Sequence, residues 1–218
     1  MHINQQQREG FYEVLFGRRD VRREFLPDAI PDEVLQRILL AAHHAPSVGF
    51  MQPWDFIVVK DVHTRRAIKQ GFEQANDESA AMFDGERKEA YQQLKLEGIE
   101  EAPLGICITC DRQRTGNVVL GKTIKPEMDL YSAVCAAQNL WLSARAENIG
   151  VGWVSILHDQ VLREALKIPA NLEIIGYFCL GYVKAFQQTP DLERYGWQSR
   201  RDPKQAIHYE QWGNQQAD

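Results

Sequence analysis

Positive charge is the scarcer sign in this chain: 25 Lys and Arg stand against 30 Asp and Glu, a net charge of −5. A phosphate backbone finds no global attraction here, which excludes nucleic acid as a general partner. Long apolar runs are also missing. The stretch that most invites a membrane reading, Leu130 to Ala144, runs 15 residues without a charge. That is short of the roughly 20 needed to cross a bilayer, so a core or subunit-interface helix is expected. Met1 to Arg8 is polar and Gln-rich with no apolar segment, which reads as no secretory signal and a cytoplasmic protein. Four cysteines, at 107, 110, 135 and 179, are few for a chain long enough to bury its own core, and all four are expected to be reduced. There is no internal repeat and no glycine-rich dinucleotide fingerprint.

What is present is a globular composition, with 44% hydrophobic residues and five Trp. Tyr12 to Phe16 reads as a short helix ending at Gly17. Pro31, the acids Asp32 and Glu33, and apolar Val34, Leu35, Ile38, Leu39 and Ala42 predict an amphipathic helix that Pro46 stops. Phe56 to Val59 and Leu104 to Cys110 read as buried strands, with Asp61 capping a helix to about Ala75 between them. Residues 127–148 form a long apolar helix. Val151 to Ile156 and Leu172 to Val183 are two further strands around a short helix capped near Asp159. The segment 77–101 is either a solvated surface helix or a movable cover over a site. The polar tail from Lys184 to Asp218, with Trp197 and Trp212 as anchors, reads as a packing arm.

Helices outnumber strands in a mixed order, which predicts an α+β layer fold. One domain is expected over 1–218, with its core at about 11–183, a C-terminal arm at 184–218 and a candidate lid at 77–101. A long helix apolar on all sides needs cover on all sides, so a homodimer is expected to supply the missing wall.

Three motifs are set aside. Gly116 to Thr123 satisfies the letters of a P-loop, but Asp111 to Thr115 separate it from the preceding strand and Pro126 interrupts the turn that follows. Cys107 and Cys110 have redox-pair spacing, yet residues three apart on a strand point to opposite faces. His43 and His44 are adjacent at a helix end and share no face, so no metal site is expected.

Arg18-Arg19-Asp20-Val21-Arg22-Arg23 is the densest positive cluster. Alone, it is either a solvated corner or a seat for an anion. Downstream, Ala45-Pro46-Ser47-Val48-Gly49-Phe50-Met51-Gln52-Pro53-Trp54 leads into the first strand. Together, in this order and spacing, the two segments resemble the nitroreductase-like flavoprotein family, and the likeness runs from about Phe11 to Arg201. The resemblance implies a three-layer fold with a central mixed sheet flanked by helices, a homodimer, and FMN as the bound group. Leu94 to Gly98 with Ala102-Pro103, Met128 to Ser132 and Gly152 to Ile156 are similar to a branch that consumes FMNH2 as substrate. In that branch O2 is the co-substrate, and the products are 5,6-dimethylbenzimidazole and erythrose 4-phosphate. Asp20 stands where most relatives carry Ser, and Phe50 where many carry Asn.

By the same resemblance Arg18, Arg19, Asp20, Val21 and Arg22 line the flavin, Ser47 reaches it from the partner subunit, and the Gly152 backbone faces the ring. Arg200 or Arg201 meets the phosphate. Asp20 is the expected base, held ionised by its arginines, or else only their charge partner; Ser155 is the expected hydrogen-bond donor. The source of the reducing equivalents stays open, with NAD(P)H as an indirect reductant and an external flavin reductase as a partner among the expectations. Competing readings are an NAD(P)H-dependent nitroreductase or flavin reductase, and a flavin-binding protein without turnover.

Overall fold

The computed structural model describes residues 2–215; Met1 and 216–218, the ends of the expected 1–218 domain, lie outside them. Helix α1 (Gln5–Gly17) starts well before Tyr12 because Asn4 and Gln7 cap each other reciprocally, Asn4 Oδ1 accepting the Gln7 N–H at 2.9 Å and Gln7 Oε1 the Asn4 N–H at 3.0 Å. It buries none of its side chains, which is why its polar half carries no periodic signal. Helix α2 (Asp32–His43) buries Leu35, Ile38 and Ala42 behind an acidic first turn. Strand β1 (Trp54–Val59) follows, then α3 (Val62–Ala80), capped by Asp61 accepting from the Thr64 N–H at 2.7 Å.

The charged segment 77–101 is not one helix. Its first residues extend α3, the chain breaks at Met82 to Asp84, and α4 (Gly85–Gln92) restarts after Gly85 turns through a φ of +52°. Then come β2 (Leu104–Cys110), α5 (Met128–Ala146), β3 (Ile149–Val154), α6 (Asp159–Leu166), β4 (Glu173–Tyr182) and a short α7 (Asp191–Arg194) within the C-terminal arm. Of the two tail anchors, Trp197 packs, whereas Trp212 stays 89% exposed against the His208 ring.

The sheet order is β1-β2-β4-β3, and all three pairings are antiparallel. The parallel character expected of a mixed sheet is confined to one isolated bridge, Asp20 to Val151. Strand alternation assigns the layers. Ile106 and Ile108 of β2 join α2 and α5 in one core, and Cys107 joins Ile68, Phe72 and Leu162 of α3 and α6 in the other. The architecture is α+β in three layers. Among the described residues no helix is long and apolar enough to cross a membrane.

Helix α5 is not covered on every side within one chain. Ala133, Ala136, Ala137, Leu140 and Ala144 face the core, while Tyr131, Val134, Cys135 and Gln138 form an exposed stripe at helical spacing.

Candidate active site

Arg18 ends α1 in an extended conformation, and the chain then runs beside β3. The Val21 N–H donates to Val151 O at 2.9 Å, and the Trp153 N–H donates to Asp20 Oδ1 at 3.1 Å. Gly152 makes this approach possible: a Cβ there would stand 2.1 Å from Val21 O and 3.7 Å from Asp20 Oδ1. The glycine is thus required by the chain's own backbone, whereas the resemblance had given Gly152 only a backbone role toward the ring. Val21 is buried, with its side chain against Gly150 of the same strand.

Asp20 Oδ2 pairs with Arg22 Nη2. Sequence reasoning expects a plain carboxylate between arginines, but burial beside β3 pushes the Asp20 carboxyl above the ordinary aspartate range, against the lowering pull of Arg22, the Trp153 N–H and Arg18. A carboxyl so raised is, once ionised, a stronger base than a free aspartate.

The arginines crowd one another. Burial lowers the Arg18 pKa, with Asp20 opposing and Arg200 adding to the fall; burial and the like charges of Arg18, Arg200 and Arg145 lower that of Arg19. Arg18 lies 4.6 Å from the Trp141 ring centroid, and the Trp141 indole N–H donates to Arg19 O at 3.0 Å. Arg19 spends its terminal nitrogens on the carbonyls of Phe16, Arg18 and Gln188. Yet the Nε atoms of Arg19, Arg22 and Arg23 are buried without a partner. Unsatisfied buried donors amid mutual repulsion describe a seat for an anion. They line a narrow cleft, about 30 Å³ of enclosed space below an open mouth, between Asp20 to Arg23 and the arm residues Gln187, Thr189 and Arg194.

Arg200 belongs to this field through its effect on Arg18 and Arg19, whereas the Arg201 guanidinium turns away to Gln205 O. Ser155 does not lie on a strand as expected: β3 ends at Val154, and Ser155 is exposed just beyond it, lining a second hollow with Leu157 and Asp159. Ser47 is not brought to the cluster within one chain; its Oγ accepts the Gln52 N–H at 3.1 Å. Phe50 is 80% exposed at a φ of +53°.

Sequence reasoning misses Trp141 and Arg145. The Arg145 guanidinium donates to Gly17 O at 3.2 Å and lies 4.1 Å from the Phe186 ring. The signal was an i, i+4 pair on one face at the end of a helix that is uncharged from Leu130 to Ala144. Among the described residues no group of His, Cys, Asp or Glu could hold a metal ion.

The arginine segment, the sheet and helices α2 to α6 fall within residues 15–182, which match the model of the nitroreductase family; the chain belongs to that family. It is 43% identical over 194 residues to the 5,6-dimethylbenzimidazole synthase of Rhodospirillum rubrum, covering 89% of this chain and 92% of that relative. It is 36% identical to the protein of the same name from Rhodobacter capsulatus, covering 91% and 95%. The NADPH:FMN oxidoreductase of Vibrio harveyi, solved in complex with NAD+, superimposes with a TM-score of 0.68 at 21% identity, covering 95% of this chain and 80% of that one. This last likeness is one of fold.

Proposed function

We propose that the chain is a 5,6-dimethylbenzimidazole synthase. It takes FMNH2 as substrate and, with O2, fragments it to 5,6-dimethylbenzimidazole, the lower ligand of vitamin B12, and erythrose 4-phosphate. The observation that carries this reading is Asp20, a carboxyl held between β3 and Arg22 inside the arginine cleft, in a chain 43% identical to a synthase of that name. The donor set suits the phosphate of a flavin nucleotide, because the partnerless Nε atoms of Arg19, Arg22 and Arg23 are donors in want of an anion.

Bound FMNH2 supplies the electrons for O2 and the ring that is taken apart. Arg18, Arg19, Arg22 and Arg200 hold and neutralise it, and the Asp20-Val21 backbone and Gly152 form the wall at β3. Asp20 Oδ2 accepts a proton from the ribityl side while Oδ1 stays fixed by the Trp153 N–H, a contribution of about 10²–10⁴-fold for a positioned base. Ser155, two residues beyond Trp153, donates a hydrogen bond to the product nitrogen. A second copy of the chain brings Ser47 and closes the open mouth, so the working form is a cytoplasmic homodimer. The reducing equivalents come from NAD(P)H indirectly, through an external flavin reductase.

The test is anaerobic loading with FMNH2, admission of O2 and analysis of products. Dimethylbenzimidazole in proportion to flavin consumed supports the synthase. Steady NAD(P)H oxidation with a nitroaromatic acceptor would replace it with a nitroreductase, and intact FMN under air with a flavin-binding protein.

A further inference from the structure

Three segments meet around the arginine cleft and are joined in pairs. Arg19 donates to Gln188 O of the arm. Arg23 donates to Gln93 O at the end of α4 at 3.4 Å and lies 5.3 Å from the Tyr195 ring of the arm. The third joint, between the arm and α4, is the apolar one. Trp197 meets Phe83 edge-on at 5.4 Å and Tyr91 at 6.2 Å, and those two rings stack at 5.0 Å. The Arg87 guanidinium lies 3.9 Å above the indole and donates to Trp197 O at 3.5 Å. Tyr91 is itself buried and donates to Asn76 Oδ1 of α3 at 2.9 Å, so the seat is anchored in a long helix.

Around this seat the arm has little else. Residues 194–196 and 198–201 are exposed, and Trp197 is the one side chain in that run drawn inward. The stretch between Gln188 and Trp197 walls the cleft, and Arg200 follows the same anchor by three residues.

We infer that Trp197 is a positioning residue for substrate retention: seated on Phe83, Tyr91 and Arg87, it clamps the arm to α4 across the arginine cleft and sets how fast a bound flavin nucleotide escapes. This rests on the flavin reading above. The Trp197 contacts make no part of the cleft floor, so losing them frees the wall and Arg200 with it, while the Arg18 to Arg22 backbone stays tied to β3 through the Val21 N–H. Water exclusion around the reacting ring follows from the same closure.

The experiment loads the full-length protein with oxidised FMN, dilutes it rapidly and follows the recovery of flavin fluorescence. Trp197→Leu is expected to release FMN about tenfold faster, as loss of an aromatic and cation–π seat implies, and Trp197→Phe to fall near wild type. Hydrogen exchange on the flavin-free protein is expected to lose protection at 185–196 in Trp197→Leu while β2 and β4 keep theirs. Should Trp197→Leu fail to fold, Arg87→Ala, an exposed change, is expected to speed release by a smaller factor. Wild-type release rates in the variants overturn the clamp, as does protection lost from β2 and β4 together with the arm. A wild-type protein that takes up no FMN overturns the functional reading itself, and is seen before any variant is compared.

Discussion

At the scale of single residues, charge density made the site legible and sequence distance hid the rest of it. Four arginines in six positions announce themselves, and so does an aspartate among them. Trp141 and Arg145 lie more than 120 residues away and reach the same place only because α5 runs beneath the end of α1. Gly152 entered through the resemblance and not through its contact with Val21, since what a glycine omits is seen only when its neighbour is in place. Gly152→Ala would drive a methyl group into Val21 O. The expected result is a loss of roughly 1–3 kcal/mol of stability, as for other overpacked sites, with weaker FMN binding as the Asp20-Val21 strand is pushed off β3. Urea unfolding and flavin titration read both, and a variant with unchanged flavin affinity would separate the strand's position from binding. Asp20→Asn is expected to keep FMN and lose turnover by about 10²–10⁴-fold. Because burial raises the Asp20 carboxyl, its basic form gains population only above the ordinary aspartate range. The acid limb of the wild-type rate profile is therefore expected at higher pH than a free aspartate would give, and to vanish from the residual rate of Asp20→Asn.

At the scale of elements, periodicity found the helices and strands that bury a face and missed what is held by caps or ion pairs. The loop from β2 to α5 shows this best. Its letters imitate a phosphate-binding loop, yet its lysine is already engaged: Lys122 pairs with Asp129 and donates to Arg112 O at 2.8 Å. Asp129, fully buried at the start of α5, also accepts from Arg112 Nε at 3.1 Å and from the Leu130 N–H at 2.7 Å. Burial alone would raise the Asp129 carboxyl, but Lys122, Arg112 and the Leu130 N–H outweigh it and hold the group below its ordinary value. Asp129→Ala leaves two cations without their partner and is expected to cost about 3 kcal/mol. The sign of its pH dependence follows from the lowered pKa. The advantage of wild type over the variant is complete above the ordinary aspartate range and disappears as pH falls through the lowered value. Paired denaturation curves across that range check it, and a gap that widened on acidification would refute the ion-pair account.

At the scale of the whole molecule, the three layers followed from alternating strands between amphipathic helices, but one chain leaves apolar surface uncovered. Tyr131 and Val134 are 55% and 42% exposed on the α5 stripe, and Phe50, Leu120 and Ile124 stand 80%, 85% and 89% exposed. The second copy proposed above would cover these side chains and bring Ser47 to the cleft. Cys135 sits within the stripe and reports on it. Burial pushes the Cys107 and Cys110 thiols up to about 12 and raises Cys179 as well, so at neutral pH these three are protonated, enclosed and unreactive. Cys135 is exposed in the single chain, and its reactivity therefore measures whether a partner covers α5. In the homodimer all four thiols are expected to resist a neutral alkylating reagent. Val134→Glu, which sets a charge into the stripe, is expected to give a monomer in which Cys135 alone is labelled, and denaturant exposes all four. Free labelling of Cys135 in wild type that sediments as a dimer would move the interface off α5, because the second copy would then have to close the cleft from another face.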